Sequence, residues 1–226
     1  MFKIFKLSSL LFIFLTANAL SHVEHYSDLK YIEFDIYRNN KNIGKHKFTF
    51  KKVNNQIFVS SNVNFIIKKL GVTLYKYEAK GTEIFEDGKL VRFNSKTNQN
   101  RKEKYVNIDL VQNEYLIDGS SHKGKTSDVA KVGTWWNHNL VEAPAQISAV
   151  SGRIIKQKVK FLGKKQIEIN GKTFETLHFN FSSTDNKLGK DKKLNTDVWY
   201  EEKTLNWVKA SFKKKGLWEY RLLAIK

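Results

Sequence analysis

"QIEINGKTFETLHFNF" (residues 166–181) decides the fold class of this chain. Asn170-Gly171 stands between two runs in which apolar and polar residues alternate. An Asn-Gly pair tolerates the left-handed backbone of a two-residue hairpin turn, and alternation is the period of a half-buried strand. The stretch therefore reads as a β-hairpin, with Phe174, Thr176, His178 and Asn180 sharing one face of its second strand. Upstream, "RIIKQKVKFLG" (153–163) puts Ile155, Val159 and Phe161 on one face and Lys156, Lys158 and Lys160 on the other. Downstream, "NTDVWYEEKTLNWVKASFKKKGLWEYRLLAI" (195–225) supplies three more strands joined by short turns.

The same period governs the first half. In "KYIEFDIYR" (30–38), Ile32, Phe34 and Ile36 share a face, and "NNKN" (39–42) then turns the chain. "KHKFTFK" (45–51) groups His46 with Phe48 and Phe50, and "QIFVSSNVNFII" (56–67) aligns Ile57, Val59, Val63, Phe65 and Ile67. Asp87-Gly88 is a second tight-turn signal, and "KYVNIDLV" (104–111) and "EYLIDG" (114–119) continue the alternation. No window holds a helical period over ten residues, so any helix is short. Many strands, short turns and no βαβ rhythm describe an all-β antiparallel meander. A ribbon this long curls, so the expectation is a strongly curved sheet or barrel, half-barrel-like, with a short loop or helix as cap. No linker or composition break divides it. Residues 20–226 are expected to form a single domain.

The first nineteen residues read differently. Lys3 and Lys6 precede the apolar run Leu7–Leu15, and Ala17-Asn18-Ala19 has the small-x-small form of a cleavage site. Those three features describe a secretory signal peptide and imply export to the periplasm. The run is shorter than the roughly 20 residues that a membrane-spanning helix needs, although an uncleaved N-terminal anchor is the competing reading. The chain has no cysteine. Disulfides, thiol nucleophiles, thiolate zinc sites and a lipid-modified N-terminal cysteine are thereby excluded. The net charge is +18, carried mostly by lysine, with Arg38, Arg92, Arg101, Arg153 and Arg221 as the only arginines. Guanine edges and phosphates are gripped best by the planar arginine fork. A lysine-dominated exported protein is thus expected to bind no nucleic acid. The charge fits either a solvated lysine surface or attraction to an anionic membrane surface.

One segment breaks the alternation. "GTWWNHNLVEAPAQI" (133–147) holds adjacent tryptophans, a histidine and the chain's single proline. Neighbouring residues of a strand point to opposite faces. Trp135 and Trp136 therefore enter one core together only if the segment leaves the sheet, as Asn137 and Pro144 favour. Trp135–Pro144 reads as a cap across an opening. It is either a plug filling the end of the barrel or the mouth of a ligand cavity formed by Trp135, Trp136, Asn137 and His138.

Catalytic signals are absent: none of the six histidines lies in a recognised arrangement, and adjacent carboxylates such as Glu201-Glu202 face apart on a strand. No enzymatic activity, cofactor or folded metal site is expected. One metal-ligating arrangement depends on cleavage. A chain starting at Leu20-Ser21-His22 would offer an amine, two amides and the imidazole of His22 as a square-planar nitrogen set, with His25 nearby. The bland alternative is a tail histidine without a role.

Taken in order, Trp136-Asn137, "SGRIIKQKVKFLG", "INGKTFETLHFNF", Trp199-Tyr200-Glu201, Trp207-Val208-Lys209 and Glu219-Tyr220-Arg221-Leu222 resemble an uncharacterised family of exported proteobacterial β-proteins. The likeness covers nearly all of residues 20–226. The chain departs from that pattern with Glu201 where aspartate is usual and with a second tryptophan before Asn137. The resemblance implies a curved antiparallel sheet similar to the half-barrels of lipoprotein carriers, and it implies no activity. The sequence therefore leads to an exported, non-catalytic binding protein for an apolar or lipid-like ligand. The competing reading is a structural component of the cell envelope, with a filled barrel and a protein partner.

Overall fold

Ile32, Phe34 and Ile36, aligned by their spacing, are all fully buried in the computed structural model of the chain. The structure describes Tyr26, residues 28–189 and residues 192–226. The segment read as a signal peptide lies outside the described residues, as do His22 and His25. The strands are β1 (Tyr31–Arg38), β2 (Lys41–Val53), β3 (Gln56–Lys69), β4 (Val72–Glu86), β5 (Lys89–Gln99), β6 (Lys102–Val111), β7 (Glu114–Gly119) and β8 (His122–Ser127) in the first arm. The second arm holds β9 (Lys131–Val132), β10 (Ala145–Ile147), β11 (Ile154–Ile169), β12 (Lys172–Ser183), β13 (Asn195–Glu201), β14 (Trp207–Lys213) and β15 (Leu217–Ile225). No α-helix occurs among the described residues.

All fifteen strands belong to one curved sheet, ordered β8-β7-β6-β5-β4-β3-β2-β1-β15-β14-β13-β12-β11-β10-β9. The first and last strands meet in its middle, with Phe34 opposite Leu222 and Arg38 opposite Trp218. Every pairing is antiparallel except β9 with β10, which run parallel over two residue pairs. Asp87-Gly88 and Asn170-Gly171 adopt the positive φ values that their turns require, 49° and 75° in the first, 52° and 75° in the second. Antiparallel register gathers the turns at 39–40, 70–71, 100–101 and 214–216 at one end of the sheet. The turns at 54–55, 87–88, 112–113 and 170–171 lie at the other.

Strands β8 and β9 end the sheet without pairing to each other, so it does not close. The loop after β10 bridges the gap. Ser121 N–H donates to the Ser151 carbonyl (2.9 Å) and Ser95 Oγ donates to the Ala149 carbonyl (2.6 Å). Gly119 permits this approach, since a Cβ there would lie 2.6 Å from the Ser151 oxygen and 2.9 Å from Gly152 Cα. Gly119→Ala is accordingly expected to push the loop off β7 and cost about 1–3 kcal/mol. Faster proteolysis and amide exchange around Ser151 would report the opening, and an unchanged exchange pattern would refute it.

Inward residues form rows across the strands. Phe50, Val59, Glu83, Phe93, Ile108 and Ile117 stand side by side from β2 to β7. The next row is mostly small, with Ser61, Gly81, Ser95 and Gly119 interrupted by Val106. That row leaves the space into which the segment between β9 and β11 folds. The sequence also placed Phe161 on the face of Val159, yet Phe161 is 52 % exposed. Strand β10 pairs only with Ile154–Lys156, so from Lys158 onward β11 is a sheet edge, and Phe161 packs sideways on Phe179 at 5.2 Å. The alternate lysines of β11 suit such an edge, because charge discourages pairing with another chain.

Candidate functional site

The cap residues separate on folding. The chain leaves the sheet at Gly133 and makes a turn, followed by one turn of 3-10 helix at His138–Val141. Asn137 caps it, its Oδ1 accepting from Asn139 N–H at 3.0 Å. The turn lets both tryptophans enter the interior, at different depths. Trp136 is fully buried, with edge-on contacts to Tyr26 (5.1 Å between ring centroids), Phe50 (5.4 Å) and Phe85 (5.6 Å). It fills the core toward the 54–55 and 87–88 turns. His138 meets Tyr200 edge-on at 4.7 Å and faces Phe179. Trp135 packs the other way, against Trp207 (5.5 Å) and Tyr220 (5.6 Å).

Beneath Trp135 lies a cavity of about 210 Å³. Its floor is the small-residue row, with Ser61, Gly81 and Ser95, together with Val63, Ala79 and Thr97. Its walls include His46, Trp207 and Tyr220, and Trp136, Asn137 and His138 do not line it. The indole N–H groups of Trp135 and Trp207 are buried with no hydrogen-bond partner among the described residues, and so is Nδ1 of His46. Buried polar atoms without partners are rare in folded proteins, and a water or ligand atom nearby is one arrangement that satisfies them. Trp135, Trp207 and His46, which carry these atoms, all line the cavity, so its wall is aromatic with unsatisfied polar atoms close behind it.

His46 and Ser61 lie 2.9 Å apart between ring Nε2 and Oγ. Burial lowers the His46 pKa to about 3. A general base works best with a pKa near the working pH, so this imidazole is a poor proton acceptor for a serine nucleophile. The pair holds the ring in place instead. No cluster of three or more metal-ligating side chains occurs among the described residues.

Sequence reasoning missed Glu83. It occupies the inward row among Phe50, Val59 and Phe93 and is only 3 % exposed. Both Trp136 Nε1–H (2.7 Å) and the Thr134 hydroxyl (2.9 Å) donate to its Oε1. Burial raises its pKa to about 7, and the two donors pull it partway back. One carboxylate thus ties the cap to β4. Its phase with Ala79, Gly81 and Phe85 was the available signal.

The residues behind the family resemblance divide by face. Tyr200, Trp207, Tyr220 and Leu222 point inward. Trp199, Lys209, Glu219 and Arg221 form an outer ladder, with Lys209 Nζ 2.9 Å from Glu219 and 5.2 Å above the Trp199 ring. His178 stacks on Trp199 at 4.2 Å and lies 3.3 Å from Asp197.

A larger groove of about 1280 Å³ lies at the end holding the 39–40 and 70–71 turns. Much of its lining is out of phase with the core, including Asn62, Asn64, Lys80 and Lys96. Seven cations line it against two carboxylates, Glu78 and Glu103.

A family model described as "Domain of unknown function (DUF6134)" matches residues 34–223. The chain is also similar to a crystal structure of a beta-barrel-like protein of domain of unknown function DUF1849 from Brucella abortus. The two share 12 % sequence identity at a TM-score of 0.60, covering 88 % of this chain and 97 % of the other. That likeness is one of fold. No curated protein matches the chain.

Proposed function

We propose a role for a chain that belongs to the family described as Domain of unknown function (DUF6134): it is a non-catalytic binding protein. It takes a small amphipathic molecule, or the polar end of a lipid-like one, into the cavity beneath Trp135. One observation carries the reading. Two buried indole donors and Nδ1 of His46, all unpartnered among the described residues, are carried by residues that line a single cavity. Its volume of about 210 Å³ is below the roughly 300–1,000 Å³ of pockets for drug-sized ligands. A compact ligand or a chain terminus suits it better than a whole lipid. Export to the periplasm, supported by the character of residues 1–19, would put the protein among envelope lipids and their breakdown products.

The competing role, a filled barrel with a protein bound at a sheet edge or on the lysine face, has less support at the two ends of the sheet. Strand β9 has two residues, and β8 carries Lys123, Gly124 and Lys125. Such edges discourage strand pairing.

Native mass spectrometry of protein purified without detergent tests the binding role. A bound mass is expected on the wild-type chain. Trp207→Phe keeps an aromatic ring but deletes one donor, and should weaken retention roughly ten-fold, the worth of one hydrogen bond of about 1.4 kcal/mol. A wild-type protein that carries nothing but water would overturn the reading.

A further inference from the structure

The β3–β4 hairpin ends in an apolar tip. Leu70 is 95 % exposed, Val72 63 %, Leu74 53 % and Ile66 39 %. Leu70 also sits at φ 49°, followed by Gly71 at 79°. Side chains with a Cβ seldom adopt that left-handed conformation, and it suits Asn, Asp or Gly. Seven other hairpin turns place a polar residue there: Asn39, Asn54, Asp87, Asn100, Gln112, Asn170 and Lys215. Leu205 in the β13–β14 connection is the other leucine with a positive φ among the described residues (54°), but it is half-buried, whereas Leu70 is held out in water. Scattered exposed aliphatic side chains are ordinary, but four of them at the end of one projecting ribbon call for a partner.

The surroundings of the tip define that partner. Lys68, Lys69 and Lys76 flank it, Lys76 sharing its charge with Glu78 at 2.9 Å. No acidic residue occurs between Asp35 and Glu78, a span that contains Arg38 and eight lysines. The other turns at the same end add Lys41, Arg101, Lys102 and Lys213–Lys215. Exposed apolar side chains interleaved with cations on one projecting hairpin end, with more cations on the neighbouring turns, match the boundary of an anionic bilayer. There hydrocarbon lies beneath a plane of negative headgroups, and each basic residue near that plane contributes about 1 kcal/mol.

We infer that the β3–β4 tip is a membrane-docking element, which inserts Leu70, Val72 and Leu74 into an anionic lipid surface while the surrounding lysines contact headgroups. The inference stands on the tip and its charges, independently of the cavity. Docking would hold the basic groove against the bilayer and leave the Trp136-filled end facing away.

Because the chain lacks cysteine, Leu70→Cys can carry a single environment-sensitive fluorophore. Its emission should shift to the blue with vesicles containing phosphatidylglycerol, and should stay unchanged with pure phosphatidylcholine vesicles. A label at Asn113→Cys, on the opposite end, should not respond to either. In an unlabelled full-length chain, Leu70→Asp with Val72→Asp should lower partitioning onto the anionic vesicles by roughly ten-fold or more, since the buried apolar area is lost. The N-terminal segment is common to all variants and cancels in the comparison. Three results would each overturn docking. They are a Leu70 label indifferent to anionic vesicles, a double variant that partitions like the wild type, and a blue shift on concentrating the protein alone, which would assign the tip to a second copy. The double variant should retain any mass bound in the cavity, so the two proposals fail separately.

Discussion

Trp136→Ala is expected to destabilise the protein by about 3–5 kcal/mol, the usual cost of deleting a fully buried large aromatic side chain. The ring touches Tyr26, Phe50 and Phe85 and closes one end of the core. Its removal leaves a void that the flanking strands, held in register on both sides, cannot collapse to fill. Urea unfolding gives the comparison, and a loss under about 1 kcal/mol would show that the ring is not a keystone. Trp136→Phe separates packing from hydrogen bonding. It retains most of the ring contacts but removes one of the two donors to Glu83. A cost of roughly 1–3 kcal/mol is expected, with the Glu83 pKa rising further because a donor that lowered it has gone.

The pH dependence of stability yields the second large effect. Burial raises Glu83 from 4.5 to about 7. A raised carboxyl pKa means that the folded state holds a proton the unfolded state has released. Its contribution therefore falls as pH rises from about 4.5 through 7 and is constant above that range. Over the whole window this amounts to roughly 3 kcal/mol, at about 1.4 kcal/mol per unit. Burial lowers His46 from 6.5 to about 3, which has the opposite sign. The unfolded state there gains a proton the folded state refuses, so stability falls as pH drops below about 6.5. Between about 4.5 and 6.5 the two slopes cancel. Glu83→Gln removes one of them. Relative to wild type, the variant is expected to gain stability as pH rises from 4.5 to 8, by roughly 3 kcal/mol in total. Parallel wild-type and Glu83→Gln curves would show that the carboxyl does not titrate in this window.

The strands were legible because their signals are local. Ile32, Phe34 and Ile36 alternate into the core, and Asn170-Gly171 turns where its residue types require. The pairing of β1 with β15 left no such signal, since it joins residues nearly 200 positions apart and depends on how far the ribbon has curled. Phe161 shares the face of Val159 as its spacing indicates, and its exposure depends on the early end of β10, which spacing along β11 does not reveal. At the cap, the sequence indicated that both tryptophans could enter only by leaving the sheet. It carried nothing about their opposite directions, which follow from the space above Ser61, Gly81 and Ser95. Glu83 was hidden by its own chemistry. A carboxylate in an inward phase looks like an irregularity in the pattern until Thr134 and Trp136, some fifty residues away, arrive to bind it.

The meeting of the first and last strands bears on how the molecule is made. Lys30 N–H donates to the Lys226 carbonyl at 2.6 Å, and Lys226 N–H to the Tyr31 carbonyl at 3.0 Å. A polypeptide emerging N-terminus first must therefore wait for its final residues before the central ladder can zip. Contacts of such long sequence separation are slow to form. Until then, the eight-stranded forward arm stays unfinished along the flank that will later hold β15. Closing the central ladder is therefore the step that joins the two arms into one sheet, and it follows the local hairpins on either side of it.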